Sequence, residues 1–137
     1  MTESNFDNCR IIELERHLHD AGTIAVAQND NNLPFPIRRI FYIYDIPSGS
    51  ERGAHSHRVC QQIIVAASGS FDVCVTDGDR EKVITLNRPF QALYIPAGLW
   101  ISLRGFSSGS LCLTLCSHDY DDADYIRDYN SYLESRR

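Results

Sequence analysis

Short runs of β-branched, aromatic and aliphatic residues recur along the chain, each ended within a few positions by glycine, proline, serine or aspartate. They are GTIAVAQ (22–28), IRRIFYIYDI (37–46), HSHRVCQQIIVAA (55–67), SFDVCVTD (70–77), EKVITL (81–86), QALYIPA (91–97), WISLRGF (100–106) and SLCLTLC (110–116). Their composition and partial alternation of apolar with polar positions predict strands. SG, DGD, NRP, PAG and SSG turns separate the later runs, and the two prolines of NDNNLPFP keep that segment a loop. Short strands returning every eight to twelve residues predict an all-β sandwich or barrel. Helical periodicity appears only in the closing DYDDADYIRDYNSYLESRR, where Asp121 or Asp122 is placed to cap a helix with an acidic first turn and a basic last one.

The length of 137 residues fits one domain. Residues 1–21 form an N-terminal segment, 22–116 the barrel and 117–137 a C-terminal helical segment. No run of apolar residues is long enough for a membrane helix. The acidic start MTESNFDNCRIIELERHLHD lacks the basic–apolar–small pattern of a secretion signal, so a cytoplasmic location is expected. Five scattered cysteines, an odd number without zinc-knuckle spacing, suit reduced and buried thiols. The net charge of −5 and the lack of a basic run argue against nucleic acid. An anionic small molecule stays compatible, because a few arginines in one pocket outweigh a distributed charge locally.

The chemistry concentrates in RGAHSHRVCQQ, residues 52–62. On a strand, His55 and His57 face the same side, about 7 Å apart at the backbone. From Gly49 the stretch reads G-x5-H-x-H-x4-Q-x6-G, ending on Gln62 and Gly69. This resembles the first motif of the cupin barrels, in which the slot of Gln62 is usually glutamate. In the second cupin motif Pro96 and Gly98 are in register, but Phe90 replaces a glycine and Ile101 replaces the third histidine. Two imidazoles and an amide make a poor site for a divalent first-row metal. No metal or other cofactor is therefore expected, although a carboxylate from Asp45, Glu51 or Asp72 stays open.

Without a metal, two readings of the pair remain. The histidines can simply satisfy hydrogen bonds in a polar barrel mouth, or they can move protons, since imidazole titrates near neutrality. A proton shuttled between neighbouring carbons of a carbonyl compound passes through an enediolate. Arg52, the tyrosines of FYIY and Gln62 are candidates to stabilise its oxyanion.

Three separate stretches then resemble one family, over Gly22 to Leu133. They are R-G-x-H-x-H with the following Gln-Gln, then Y-I-P-x-G-x-W, then D-Y-I-R-D-Y. The family is the dTDP-4-oxo-6-deoxyglucose 3,4-ketoisomerases, metal-free WxcM-like cupins of deoxysugar biosynthesis. The resemblance implies a small jelly-roll-like cupin barrel acting on a dTDP-linked 4-oxo-6-deoxyhexose. The C3 proton would be removed and C4 reprotonated, with His57 as the main base and His55 assisting. It further implies Arg52 and Tyr44 as catalytic partners, with Tyr42 as the neighbouring alternative. Gln62, Arg52, Tyr42 and Trp100 are the expected substrate-binding residues, and Arg38 or Arg39 a pyrophosphate contact. A homodimer with exchanged N-terminal strands is also implied. The alternatives are a non-catalytic cupin that binds a nucleotide sugar, or a sugar 3,5-epimerase. Epimerases of this type need a His–Asp dyad and a catalytic tyrosine that the sequence does not place.

Overall fold

A computed structural model describes residues 4–137. Its strands are β1 (Arg10–Glu13), β2 (Glu15–His19), β3 (Gly22–Val26), β4 (Arg39–Ile43), β5 (Arg52–His57) and β6 (Gln62–Ser68). There follow β7 (Phe71–Thr76), β8 (Glu81–Leu86), β9 (Gln91–Ile95), β10 (Trp100–Arg104), β11 (Leu111–Cys116) and β12 (Tyr125–Ile126). One helix, α1 (Tyr129–Ser135), closes the described chain. Two five-stranded antiparallel sheets, β1-β9-β6-β11-β4 and β12-β5-β10-β7-β8, form a jelly-roll-like sandwich, and β2-β3 is a separate hairpin. The all-β expectation holds, with the barrel realised as two facing sheets.

Phe71, Val73, Val75, Ile101 and Leu103 of one sheet join Ile64, Ala66, Leu93, Ile95 and Cys112 of the other in one core cluster. Strand β6 is buried on both faces, because the loop before β4 lays Leu33, Phe35 and Ile37 over Ile63, Val65, Tyr94 and Leu115. Its unbroken apolar run IIVAA is the sequence trace of that double burial.

The run at 55–67 is interrupted at Arg58–Gln61, which ends β5 and starts β6. Strands β1 and β2 fall in the N-terminal segment, for which no strand was predicted; β1 is mostly exposed and β2 wholly so. The predicted C-terminal helix is shorter than its pattern. Asp121 caps only a 3-10 turn, Asp122–Asp124, and Asp128 caps α1 by accepting from the Ser131 amide at 2.9 Å. Between them Tyr125 and Ile126 pair with His57 and Ser56 as an added strand. Tertiary pairing has overridden helical periodicity there. The helix is pinned by Tyr132, 1% exposed, whose hydroxyl donates to the Gly98 carbonyl at 2.8 Å.

Candidate active site

Strand β5 carries the histidines along the end of the sandwich. Gly53 has φ +79°, a left-handed conformation that favours glycine, and the β10–β5 register shifts between Ile101 and Leu103. This bulge re-aims the strand just before His55. The two rings then lie 4.9 Å apart, edge to face.

His55 lines a cavity of about 350 Å³ together with Arg52, Gln62, Ile101, Tyr125 and Arg127. His57 lies behind it, 3% exposed. The Tyr125 ring packs against both, 5.1 Å from His55 and 4.4 Å from His57. The Arg127 guanidinium lies over the Tyr125 ring at 4.2 Å and pairs with Asp122 at 2.8 Å.

Asp124 supplies what the sequence reading could not place. Its Oδ2 is 2.8 Å from His57 Nδ1. The same carboxylate accepts from the Val59 amide at 2.7 Å and the Cys60 amide at 3.3 Å. Burial pushes the Asp124 carboxyl up, yet those amide hydrogen bonds and His57 outweigh it and hold its pKa below the ordinary value. An ionised Asp124 fixes the His57 tautomer with the proton on Nδ1, leaving a lone pair on Nε2. Nε2 of His57 and Nε2 of His55 are both buried without a hydrogen-bond partner among the described residues. Burial first, then the adjacent His57 and Arg127, lowers His55 to about 4, so its ring is neutral at neutral pH.

Of the expected site residues, Arg52, His55 and Gln62 share the cavity wall, with His57 directly behind. Tyr42 and Tyr44 do not join them in this chain. The alternation of β4 turns Phe41 and Ile43 to the cavity and leaves Tyr42 and Tyr44 59% and 61% exposed. Trp100 faces a different groove, edge-on to Tyr129 at 5.2 Å. Arg38 pairs with Asp119 at 3.2 Å outside the cavity, while Arg39 lies over the Phe41 and Tyr120 rings, 5.7 and 5.5 Å from their centroids. The two glutamines divide by strand parity. Gln62 faces the cavity, whereas Gln61 accepts from the Tyr94 hydroxyl at 2.6 Å on the outer face.

The residues missed, Asp124, Tyr125 and Arg127, all lie in the stretch read as the start of a helix. D-Y-I-R was conspicuous as a motif, but the helix-capping role went to Asp121 or Asp122, and Asp124 received no role of its own. A cupin-type metal does not fit this site. The position of the third histidine is Ile101, 4% exposed in the cavity wall, the carboxylate position is the amide of Gln62, and His57 Nδ1 is engaged by Asp124.

A buried His–Asp dyad beside a second neutral histidine, under an arginine-bearing cavity, defines a proton-transfer site in a cupin-type sandwich. The family model "FdtA: WxcM-like, C-terminal" matches residues 7–137, and the chain belongs to that family. It is 32% identical over 123 residues to the TDP-4-oxo-6-deoxy-alpha-D-glucose-3,4-oxoisomerase of Aneurinibacillus thermoaerophilus, covering 90% of this chain and 88% of the relative. A mutant of the 3,4-ketoisomerase QdtA from Thermoanaerobacterium thermosaccharolyticum, solved in complex with TDP-4-keto-6-deoxyglucose, superposes with a TM-score of 0.92 at 31% identity over 94% of each chain. The WlaRB TDP-quinovose 3,4-ketoisomerase of Campylobacter jejuni gives 0.88 at 38% identity, covering 93% of this chain and 98% of that one.

Proposed function

We propose that this protein is a sugar 3,4-ketoisomerase that converts a dTDP-linked 4-oxo-6-deoxyhexose to its 3-oxo isomer in deoxysugar biosynthesis. The observation that carries the reading is the 32% identity over 123 residues to a 3,4-oxoisomerase, with the paired histidines at the Arg52 cavity; the 2.8 Å contact of His57 with Asp124, a dyad that an epimerase would also use, supplies the base. His57 is the base, its Nε2 kept free by the tautomer that Asp124 holds. His55 stands between it and the cavity and relays the proton. Removal of the C3 proton gives an enediolate, and return of a proton to C4 completes the shift with no net redox change. Arg52 and the Gln62 amide stabilise the enediolate oxygens, and Tyr125 seals the histidines from water. No step requires a metal.

The assembly we propose is a homodimer with exchanged N-terminal hairpins, acting in the cytoplasm. Two features support the dimer. The β2-β3 hairpin exposes Leu18 and Ile24 at 76% and 63%. The edge strand β4 exposes Ile40 and Tyr42 on its outer face, and Tyr44 just beyond its end is exposed as well. Edge strands with apolar side chains are surfaces that proteins cover.

Incubation with dTDP-4-oxo-6-deoxyglucose in D2O tests the reaction. The expected result is a 3-oxo product carrying solvent deuterium at C4, with the rate surviving exhaustive chelation. Deuterium at C5 would instead identify an epimerase, and binding of dTDP without exchange would identify a binding module.

A further inference from the structure

Strand β5 has a second face. Ser56 lies between His55 and His57, so alternation turns its side chain away from their rings and towards α1. A pocket of about 190 Å³ lies on that side, with Ser56 and Arg58 on one wall and Ser135 and Arg136, at the end of α1, on the other; His57 borders it. Ser56 is 0% exposed, yet its hydroxyl has no hydrogen-bond partner among the described residues. Buried polar side chains are ordinarily bonded to the protein or to a bound group.

The charge around that hydroxyl is of one sign. Two arginines and no carboxylate line the pocket, in a chain whose net charge is −5. The ion pairs of the described residues leave Arg58 without a carboxylate. Gly98, at φ +88°, locates the head of Arg136, because a Cβ there would stand 3.7 Å from Arg136 Nη1. The carbonyls nearby are occupied. That of Gly98 accepts from the Tyr132 hydroxyl at 2.8 Å, that of His57 from the Gly98 amide at 2.9 Å, and that of Tyr132 from the Ser135 hydroxyl at 2.5 Å.

We propose that this pocket is a site for one inorganic phosphate ion, which ties the end of α1 to the strand that carries both histidines. The site is separate from the Arg52 cavity, and its binding does not depend on the reaction. Guanidinium groups present paired N–H donors that match the oxygens of phosphate. The Ser56 hydroxyl supplies a further donor at the buried end. Size narrows the class of ligand, since pockets for drug-sized molecules begin at about 300 Å³. A space of about 190 Å³ takes a tetrahedral oxyanion with a little water and excludes a nucleotide.

Isothermal titration calorimetry of the wild-type protein with inorganic phosphate, at an ionic strength held constant with chloride, tests the site. The expected result is one phosphate per chain and a melting temperature that rises with phosphate concentration. Arg58→Gln removes an exposed charge and should weaken binding at least tenfold. Ser56→Ala removes a hydroxyl that has no protein partner and should weaken it at least fivefold. Arg104→Gln, an exposed arginine on the outer face of the same sheet but outside the pocket, should bind as wild type does. No phosphate bound by wild type overturns the site, as does wild-type affinity in Arg58→Gln or Ser56→Ala, or an equal loss in Arg104→Gln. An equal rise in melting temperature in all four proteins would be a general salt effect and overturns it too. dTDP should leave the phosphate in place; its displacement by dTDP would give these donors to the nucleotide and overturn a separate inorganic site.

Discussion

The Asp124 carboxylate lies 2.8 Å from Nδ1 of His57 across 67 residues of sequence, and the Val59 and Cys60 amides hold it there. The aspartate is thus tied to the turn that immediately follows the histidine it serves. A hydrogen bond of this kind sets which imidazole nitrogen carries the proton. Asp124→Asn tests that role, because an amide retains the shape but can donate to Nδ1 and reverse the tautomer. We expect kcat to fall by about 10²–10⁴, with KM changed far less. A loss below tenfold with normal KM would show that Asp124 only braces the 58–61 turn.

The same geometry separates the two histidines. His57→Asn should abolish deuterium incorporation into the product, since no other buried histidine among the described residues is held in place by a carboxylate. His55→Asn should slow exchange by about 10²–10⁴ while leaving dTDP binding intact, as expected for a relay at the cavity wall. Equal exchange rates in His57→Asn and wild type, followed by NMR of the sugar, would move the base to His55.

Much of this site was legible in the sequence for a physical reason. His55, His57, Gln62 and Arg52 lie within one short stretch, and strand parity puts the two histidines on one side. The β4 tyrosines show the limit of that reasoning. Parity predicts that Tyr42 and Tyr44 share a face, but which face is turned inward is decided by pairing with β11, where Tyr42 is opposite Leu113. The C-terminal residues failed differently. Asp124 and Tyr125 have local helix-start character, and only the β12–β5 pairing, Tyr125 with His57, brings them to the site. No local pattern encodes that contact.

Acid stability should depend on Asp77. Its side chain accepts from the Ser4 hydroxyl at 2.6 Å and from the Asp79 and Arg80 amides at 2.9 Å, tying the N-terminal segment to the β7–β8 turn. Burial raises its pKa, but Ser4, the two amides and the Arg80 charge prevail and lower it from 3.8 to about 2. A folded-state pKa below the unfolded one contributes stability that is present above pH 3.8 and lost as pH falls towards 2. Asp77→Asn should therefore cost up to about 2 kcal/mol at neutral pH. The difference from wild type should shrink through that acid window. Urea titrations at pH 7 and at pH 3 measure both values, and an equal difference at the two would remove Asp77 from the acid limb.

The β2-β3 hairpin yields the prediction on assembly. Its residues are exposed apart from a half-buried Val26, and Leu18 lies opposite Thr23 next to the His17–Ile24 pair. An isolated two-stranded hairpin is at best marginally stable in water, so an apolar surface has to receive it. In the proposed exchanged dimer that surface would be the neighbouring copy's outer sheet face. Leu18 and Ile24 lie on opposite faces of the hairpin, so a double substitution, Leu18→Asp with Ile24→Asp, places a charge on whichever face meets the neighbouring copy while leaving the sandwich core untouched. Burial of an unpaired carboxylate costs several kcal/mol, enough to shift a micromolar or weaker dimer wholly to monomer. Light scattering coupled to size exclusion should report about twice the 15.6 kDa chain mass for wild type and the chain mass itself for the variant. A variant that stays dimeric would show that the hairpin is not exchanged, and a wild type that runs as a monomer would overturn the dimer itself.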